Sequence, residues 1–547
     1  MPKPNLAPTL TMSGLFAAVC TALFSTSQIS AAGVTIITHG FYSDANSWVT
    51  AMANAIPNYY RFPGTNFTVY KVTLTTDGST YQYQWEREGG SPLTNDSGEI
   101  IVKLDWSQMS GDPSDVFNPF NDDTSTSNVA WIASLVVSQT NAIADLNGHA
   151  LAEFPIHLVG HSRGGSLMNE LSRQLGTNGV WVDHLTTLDP HPLNNDGNSE
   201  FGFFPTDASA SLTYENVLFR DNYWQDFSGG IADFNGESVS GAYNRHLDDQ
   251  EVSGGYNNNS VPVSPRHSNV HLWYHGTIDW DTPASDSGAS ITDTERQTWW
   301  TAYESRGVVA GFYYSLIGGG DRLSTDQPVG QGFGMIRDGY NQRWDLGAGT
   351  VDNRTSLPAN NGNWPNVIKF NLTGTNIVAF GQSTTTTLYY QWVRPATTNA
   401  LVSFYLDDDF NPYNGNEMIV QQAAVQGTDQ VGRGTVTIPF NATNATPGLH
   451  AIYASITDGS HTRYLYAPEI LTVFSSLDPP SLAISGGAGV QPRIDVAGVP
   501  GQRIVLQGSI DFQTWQPLAT NWLATNVWSY FDPQPPGARK FYRATLQ

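Results

Sequence analysis

The sequence predicts an α/β fold, a mainly parallel sheet with helices on both faces, followed by a β-sandwich and a small all-β C-terminal module. Three observations carry this. From Gly33 to about residue 320, apolar runs alternate with segments of helical period, as in successive strand–helix–strand units. From Asn366 the pattern changes to short strands rich in Thr, Val and Tyr, separated by turns such as Asn414-Gly415 and Asp458-Gly459. After Pro479-Pro480 a last, shorter stretch alternates again.

Taken in order, residues 15–24 (LFAAVCTALF) are a short apolar run behind Lys3, and Ser30-Ala31-Ala32 follows. This is the pattern of a secretory signal spanning residues 1–32, and the expected location of the mature protein is extracellular. Cleavage there removes Lys3 and no acid, taking the net charge from −24 to −25. It also removes Cys20, the one cysteine, so the mature chain has neither disulfides nor thiolate metal ligands. Residues 33–320 form the first unit. Strands are expected at 34–38, 69–74, 100–104, 155–159, 181–188 and 216–220, where β-branched residues cluster. Residues 129–146 carry Trp131, Ile132, Leu135, Val136, Ile143 and Leu146 at helical spacing. Residues 321–365, rich in Gly, Asp and Asn, read as a linker region; 366–474 read as an Ig-like sandwich and 478–547 as the small module.

The chain has 547 residues, with 25 Lys+Arg against 49 Asp+Glu and only 14% charged residues. A nucleic-acid partner needs a basic face to neutralise phosphates, and no Lys/Arg cluster exists. The same composition excludes a coiled coil and a charged disordered chain.

Gly160-His161-Ser162-Arg163-Gly164 matches G-x-S-x-G. A five-residue pattern in a chain with 52 glycines is weak by itself. Its setting strengthens it: an expected strand precedes it, and Leu167, Met168, Leu171 and Leu175 mark an amphipathic helix after it. A sharp turn there lifts a serine hydroxyl above the sheet edge. That hydroxyl needs a base, and the oxyanion it forms needs donors. His39-Gly40-Phe41, after the first strand, offers the N–H of Phe41; the residue after the serine offers the N–H of Arg163. The acid is expected at a strand end, at Asp189 in Leu188-Asp189-Pro190, with Asp221 as the alternative. The base lies further on, at His267, with His271 as the alternative. His39, His157, His161, His191 and His275 are read as structural or as pocket lining.

Five landmarks in order carry a resemblance: His39-Gly40-Phe41 with Ser47-Trp48; Leu104-Asp105-Trp106; Gly160 to Gly164; Leu188-Asp189-Pro190; and His267 followed by Trp273 and Tyr274. In these the first unit resembles the pancreatic-lipase-like branch of the α/β-hydrolase superfamily. The resemblance implies an α/β-hydrolase fold, serine-ester hydrolysis without a cofactor or metal, and Asp189 and His267 over their alternatives. Departures are the absence of disulfides and Arg163-Gly164-Gly165 in place of the usual Leu-Gly-Ala. The expected substrate is an ester or lipid. The 77 residues between Asp189 and His267, with Phe201, Phe203, Phe204, Tyr214, Phe219, Tyr223, Trp224 and Phe227, are expected to cap the site and line an acyl pocket. Two other functions remain open: a depolymerase of polyester or acylated polysaccharide whose β modules attach to polymer or cell surface, and a non-catalytic surface-binding protein on the same scaffold.

Overall fold

The computed structural model describes residues 33–547 apart from 60–66, 93–98, 112–123, 196–205, 227–234, 257–264, 279–287, 302–310, 315–353, 359–363, 410, 416, 429–433, 442–444, 487–490 and 534–539. The expected signal segment, most of the linker region, and Phe201, Phe203, Phe204 and Phe227 lie outside the described residues.

Eight strands make the first sheet: β1 (Val34–Thr38), β2 (Thr68–Thr76), β3 (Tyr81–Gly89), β4 (Ile100–Asp105), β5 (Ile156–His161), β6 (Val182–Leu188), β7 (Val217–Trp224) and β8 (Tyr243–His246). Their order is β3-β2-β4-β1-β5-β6-β7-β8. All neighbours are parallel except the β2–β3 hairpin at one edge. Alternate strand residues feed two separate cores, as a period of two requires. Val34, Ile36, Val102 and Leu158 pack with α2 (Thr126–Ser138) and α3 (Arg163–Thr177). Ile37, Ile101 and Val159 pack with α1 (Trp48–Tyr59) and α4 (Pro265–Ile278). A fifth helix, α5 (Asp293–Thr301), follows the two-residue strands β9 (Gly255–Tyr256) and β10 (Ala289–Ser290).

The helix expected over 129–146 is shorter. It ends at Ser138, Asn141 turns left-handed at φ 67°, and a single 3₁₀ turn covers Ala144–Leu146. Ile143 and Leu146 remain fully buried, so the apolar spacing crosses a break that Ser138, Gln139, Thr140 and Asn141 impose.

Residues 366–474 form two facing sheets. One is β11 (Asn366–Leu372), β13 (Ser383–Gln391) and β16 (Gly434–Asn441). The other holds β12 (Ile377–Ala379), β18 (Thr462–Phe474), β17 (Gly448–Thr457), β14 (Asn399–Asp407) and β15 (Met418–Gln426). Phe370, Leu388, Val402, Phe404, Ile452 and Leu471 fill the space between them. The last module has two three-stranded sheets over a small core of Ile494, Val496, Ile504, Leu506 and Leu523.

The α/β class, and with it the α/β-hydrolase fold as a description of this chain, is corrected by these elements. The described residues hold 24 strands against five α-helices, and 14 of the strands lie beyond residue 365. The molecule is mainly β. The expectation classed the chain by the strand–helix alternation of its first unit, whereas the two modules of closely spaced strands after residue 365 and the β2–β3 hairpin set the balance.

The sandwich is joined to the first sheet at the beginnings of its strands. Asn366 accepts from the Trp181 amide (3.0 Å) and donates to Gly179 O (2.7 Å). Arg463 donates to Trp181 O (3.1 Å) and pairs with Asp183 (3.3 Å), both side chains buried. Asp183 also accepts from the Ile156 amide (2.8 Å). Tyr413 donates to Glu153, and Trp364, Tyr453 and Tyr466 complete the apolar contact with the first core. A charge left alone at such a buried junction is expensive. Asp183→Ala is therefore expected to lower the unfolding free energy by about 3–5 kcal/mol in urea denaturation. Adding Arg463→Met should recover part of that loss; an unchanged midpoint in Asp183→Ala would show the pair to be idle.

Candidate active site

The site is built where β5 gives way to α3. Ser162 sits between them at φ 57° and ψ −128°, a backbone conformation that non-glycine residues rarely adopt. The turn is held from several sides. The Ser162 amide donates to Leu188 O (2.9 Å), while Ser162 O accepts from the amides of Gly165 (2.8 Å) and His191 (3.1 Å). Glycine is required on both sides of it: a Cβ at Gly160 would overlap Gly164 O, and one at Gly164 would overlap His39 O. A Cβ at Gly40 would lie 2.7 Å from Ser162 Cβ and 3.1 Å from its Oγ. The turn carrying Phe41 thus abuts the serine hydroxyl, and Arg163 opens α3, where backbone N–H groups have no partner within the helix.

That turn is fixed in its own right. Trp106 donates its ring N–H to His39 O (3.0 Å) and its backbone N–H to His39 Nε2 (3.2 Å). The two landmarks His39-Gly40-Phe41 and Asp105-Trp106 are therefore one structural unit.

Asp189 follows β6 at φ 46° and is fully buried. Its amide donates to Tyr223 O (2.7 Å). Oδ1 accepts from the amides of Gln225 and Gly236, both at 3.0 Å; Oδ2 accepts from Gln225 Nε2 (2.8 Å) and from His267 Nδ1 (2.7 Å). Burial pushes the Asp189 carboxyl up to about 7, opposed first by the two Gln225 bonds. Three of the four partners, the two Gln225 groups and the Gly236 amide, can only donate, and they occupy both oxygens, so the bonding set favours the ionised form. With Asp189 ionised, His267 carries its proton on Nδ1 and keeps the Nε2 lone pair for accepting a proton.

His267 lies in the first turn of α4. Its carbonyl accepts from Nε2 of His161, the residue preceding Ser162, at 2.8 Å, and the two rings pack with centroids 4.5 Å apart. His161 is lowered to about 3, by burial first and then by neighbouring His267, so it is neutral at neutral pH.

The alternatives fall elsewhere. His271, one turn beyond His267, stacks on Trp48 (4.3 Å between centroids) and meets His161 and Tyr256 edge-on. Burial holds it well below its ordinary value, and it serves as packing. Asp221 binds His184 Nε2 (2.8 Å), Thr186 Oγ1 (2.6 Å) and Tyr223 OH (3.0 Å), with His157 stacked on His184 at 4.0 Å. It belongs to a second buried network.

The stretch between Asp189 and His267, expected to cap the site, builds part of the first sheet. It supplies β7, β8, Gln225 and Gly236, and Tyr214, Phe219 and Tyr223 are core residues. Sequence reasoning used Arg163 for its amide alone. Its guanidinium, fully buried, makes a two-point pair with Asp207 (2.8 and 2.9 Å), donates to Ser110 O and Thr124 O, and lies over Trp106. Asp207 also accepts from the amides of Thr126 and Leu193. The departure Arg163 for Leu was the available signal: a charge next to a buried turn demands a buried partner. Gln225 and Gly236 left no such signal. Among the described residues no group of three or more His, Cys, Asp or Glu side chains is arranged to hold a metal ion.

No family model matches the chain, and neither does any curated protein. Among solved structures, it is similar to the CARDB domain of a Pyrococcus furiosus protein, determined in complex with di-metal ions, at 11% identity and a TM-score of 0.14. That match covers 20% of this chain and 89% of the other. So low a score places no residue of the site.

The buried His161 gives the fold a pH dependence of known sign. Between about 3 and its ordinary value of 6.5, the unfolded chain binds a proton at this position that the folded chain does not. Stability from this residue is therefore present above pH 6.5 and is lost as pH falls, by up to about 1.4 kcal/mol per pH unit. Urea midpoints measured from pH 7 to pH 5 should fall, and His161→Gln should flatten the slope. Equal slopes in the two proteins would remove His161 from the account.

Proposed function

We propose that the chain is a secreted serine hydrolase that cleaves carboxylic esters. The observation that carries the reading is the 2.7 Å bond between His267 Nδ1 and buried Asp189, beside a serine held in a strained strand-to-helix turn. The resemblance to pancreatic-lipase-like proteins in five ordered landmarks supports the same chemistry.

In this reading Ser162 Oγ attacks the ester carbonyl carbon while His267 Nε2 takes its proton. Asp189 holds the ring and stabilises the imidazolium. The carbonyl oxygen, now negative, receives the amides of Phe41 and Arg163. The imidazolium then returns its proton to the departing alcohol. A water, deprotonated by the same nitrogen, releases the acid and regenerates the serine.

A second reading, hydrolysis of esters within a polymer, draws on the surface of the C-terminal module. There Ile510 and Phe512 are 77% and 62% exposed, Phe512 packs tilted against Phe541 (3.7 Å between centroids), and Arg543 lies over Trp515 (4.4 Å). Exposed apolar and aromatic groups suit a polymer chain, and attachment would hold substrate near the site.

The test is hydrolysis of p-nitrophenyl esters from acetyl to palmitoyl by the mature chain and by Ser162→Ala. The variant is expected to lose about 10³-fold or more in kcat. The acyl-length optimum would separate short-chain esterase from lipase. Equal rates from both proteins, or none from either, would remove the ester reading and bring forward the surface-binding one.

A further inference from the structure

The carboxylate of Asp189 is held by a cradle of three N–H donors that lie outside the five sequence landmarks. Gln225, directly after β7, grips it twice: its backbone amide on Oδ1 at 3.0 Å and its side-chain amide on Oδ2 at 2.8 Å. The Gly236 amide closes the cradle on Oδ1 at 3.0 Å. Gln225 is fully buried, and its side-chain amide shares Asp189 Oδ2 with His267 Nδ1. A Cβ at Gly236 would overlap Asp189 Oδ1 and lie 3.0 Å from Trp224 Cβ, so only glycine lets that amide come so near.

We propose that Gln225, with the Gly236 amide, is the positioning residue of this site: it fixes the plane of the Asp189 carboxylate and keeps it ionised so that His267 retains its Nε2 lone pair. The inference rests on the hydrolase reading above. Burial alone drives a carboxyl toward its neutral form, and the donors that resist it are these. Burial raises Asp189, and the two Gln225 bonds are the foremost opposing causes. The charged or titratable groups that face it are His267, bonded to Oδ2, and His161 and His191, which act through space. None of the three replaces a neutral donor aimed at both oxygens. Gln225 has no role on substrate in this scheme, so its removal acts through the Asp189–His267 pair.

The experiment compares wild type, Gln225→Met, Gly236→Ala and Ser162→Ala on one p-nitrophenyl ester across pH, with unfolding midpoints for each. Gln225→Met keeps the length of the side chain and deletes its donor. It is expected to lower kcat about tenfold or more with KM within twofold, and to move the acid limb of kcat/KM up by about one pH unit. The acid limb rises because a carboxylate with fewer donors makes the pair bind a proton more readily. Gly236→Ala, which deletes no donor but forces the Gly236 amide and Oδ1 apart, is expected to lower kcat and raise the acid limb as Gln225→Met does; it carries the test if Gln225→Met does not fold. An inactive Ser162→Ala beside folded cradle variants with wild-type kcat and acid limb would overturn this inference alone. A fully active Ser162→Ala would overturn the hydrolase reading, and the inference with it.

Discussion

Everything around the site depends on three passes of backbone meeting in van der Waals contact at Ser162. The exit of β1 at His39 and Gly40, the end of β5 at Gly160, and the start of α3 at Gly164 crowd so closely that none tolerates a side chain. The serine itself takes the strain, in a conformation that costs about 1–3 kcal/mol. Bonds to Leu188 O and from the Gly165 and His191 amides over-determine it. The constraint explains why Ser162, the turn at His39 and Gly40, and the end of β6 form one assembly: none can shift without moving the other two.

A second layer of order comes from buried charge. Behind the strand ends lie Arg163 with Asp207, Asp189 with His267, and Asp221 with His184, all nearly or fully shielded from water. In such surroundings a charge is stable only with its complete set of partners. Those partners come largely from residues 190–240, through Leu193, Asp207, Gln225 and Gly236. This is why the described residues of that stretch, irregular in sequence, are tied one by one to buried groups of the sheet. Its side chains and amides answer to individual charges, and regular periodicity has no means of doing so.

The same distinction decides what the sequence could reveal. Strands of the first sheet were legible because β-branched runs bounded by turn residues have few other readings, and the turn at Ser162 was legible because glycines at fixed offsets are a steric necessity. His267 and His271 share one helix face at a spacing of four, so periodicity cannot separate them; stacking of His271 on Trp48 does. The fold class was misjudged for a related reason: the chain was classed by its first unit, although 14 of the 24 described strands fall in the two all-β modules expected after residue 365 and another in a hairpin whose β3 (YQYQWEREG) is too polar to announce itself. Gln225 was illegible because its bond partner lies 36 residues away with no rule linking the two.

Finally, the placement of the sandwich limits what it can do. Its polar anchors fall on residues 153 to 183, at the beginnings of β5 and β6, whereas Ser162 and Asp189 stand at their ends. Six residues of β5 at about 3.3 Å each put roughly 15–20 Å of sheet between junction and site. From there the sandwich supports the first sheet at the beginnings of β5 and β6, away from the strand ends that carry Ser162 and Asp189. Under the proposed function, a polymer held by the C-terminal module would act through local concentration, as a tether does, and not through the geometry around Ser162.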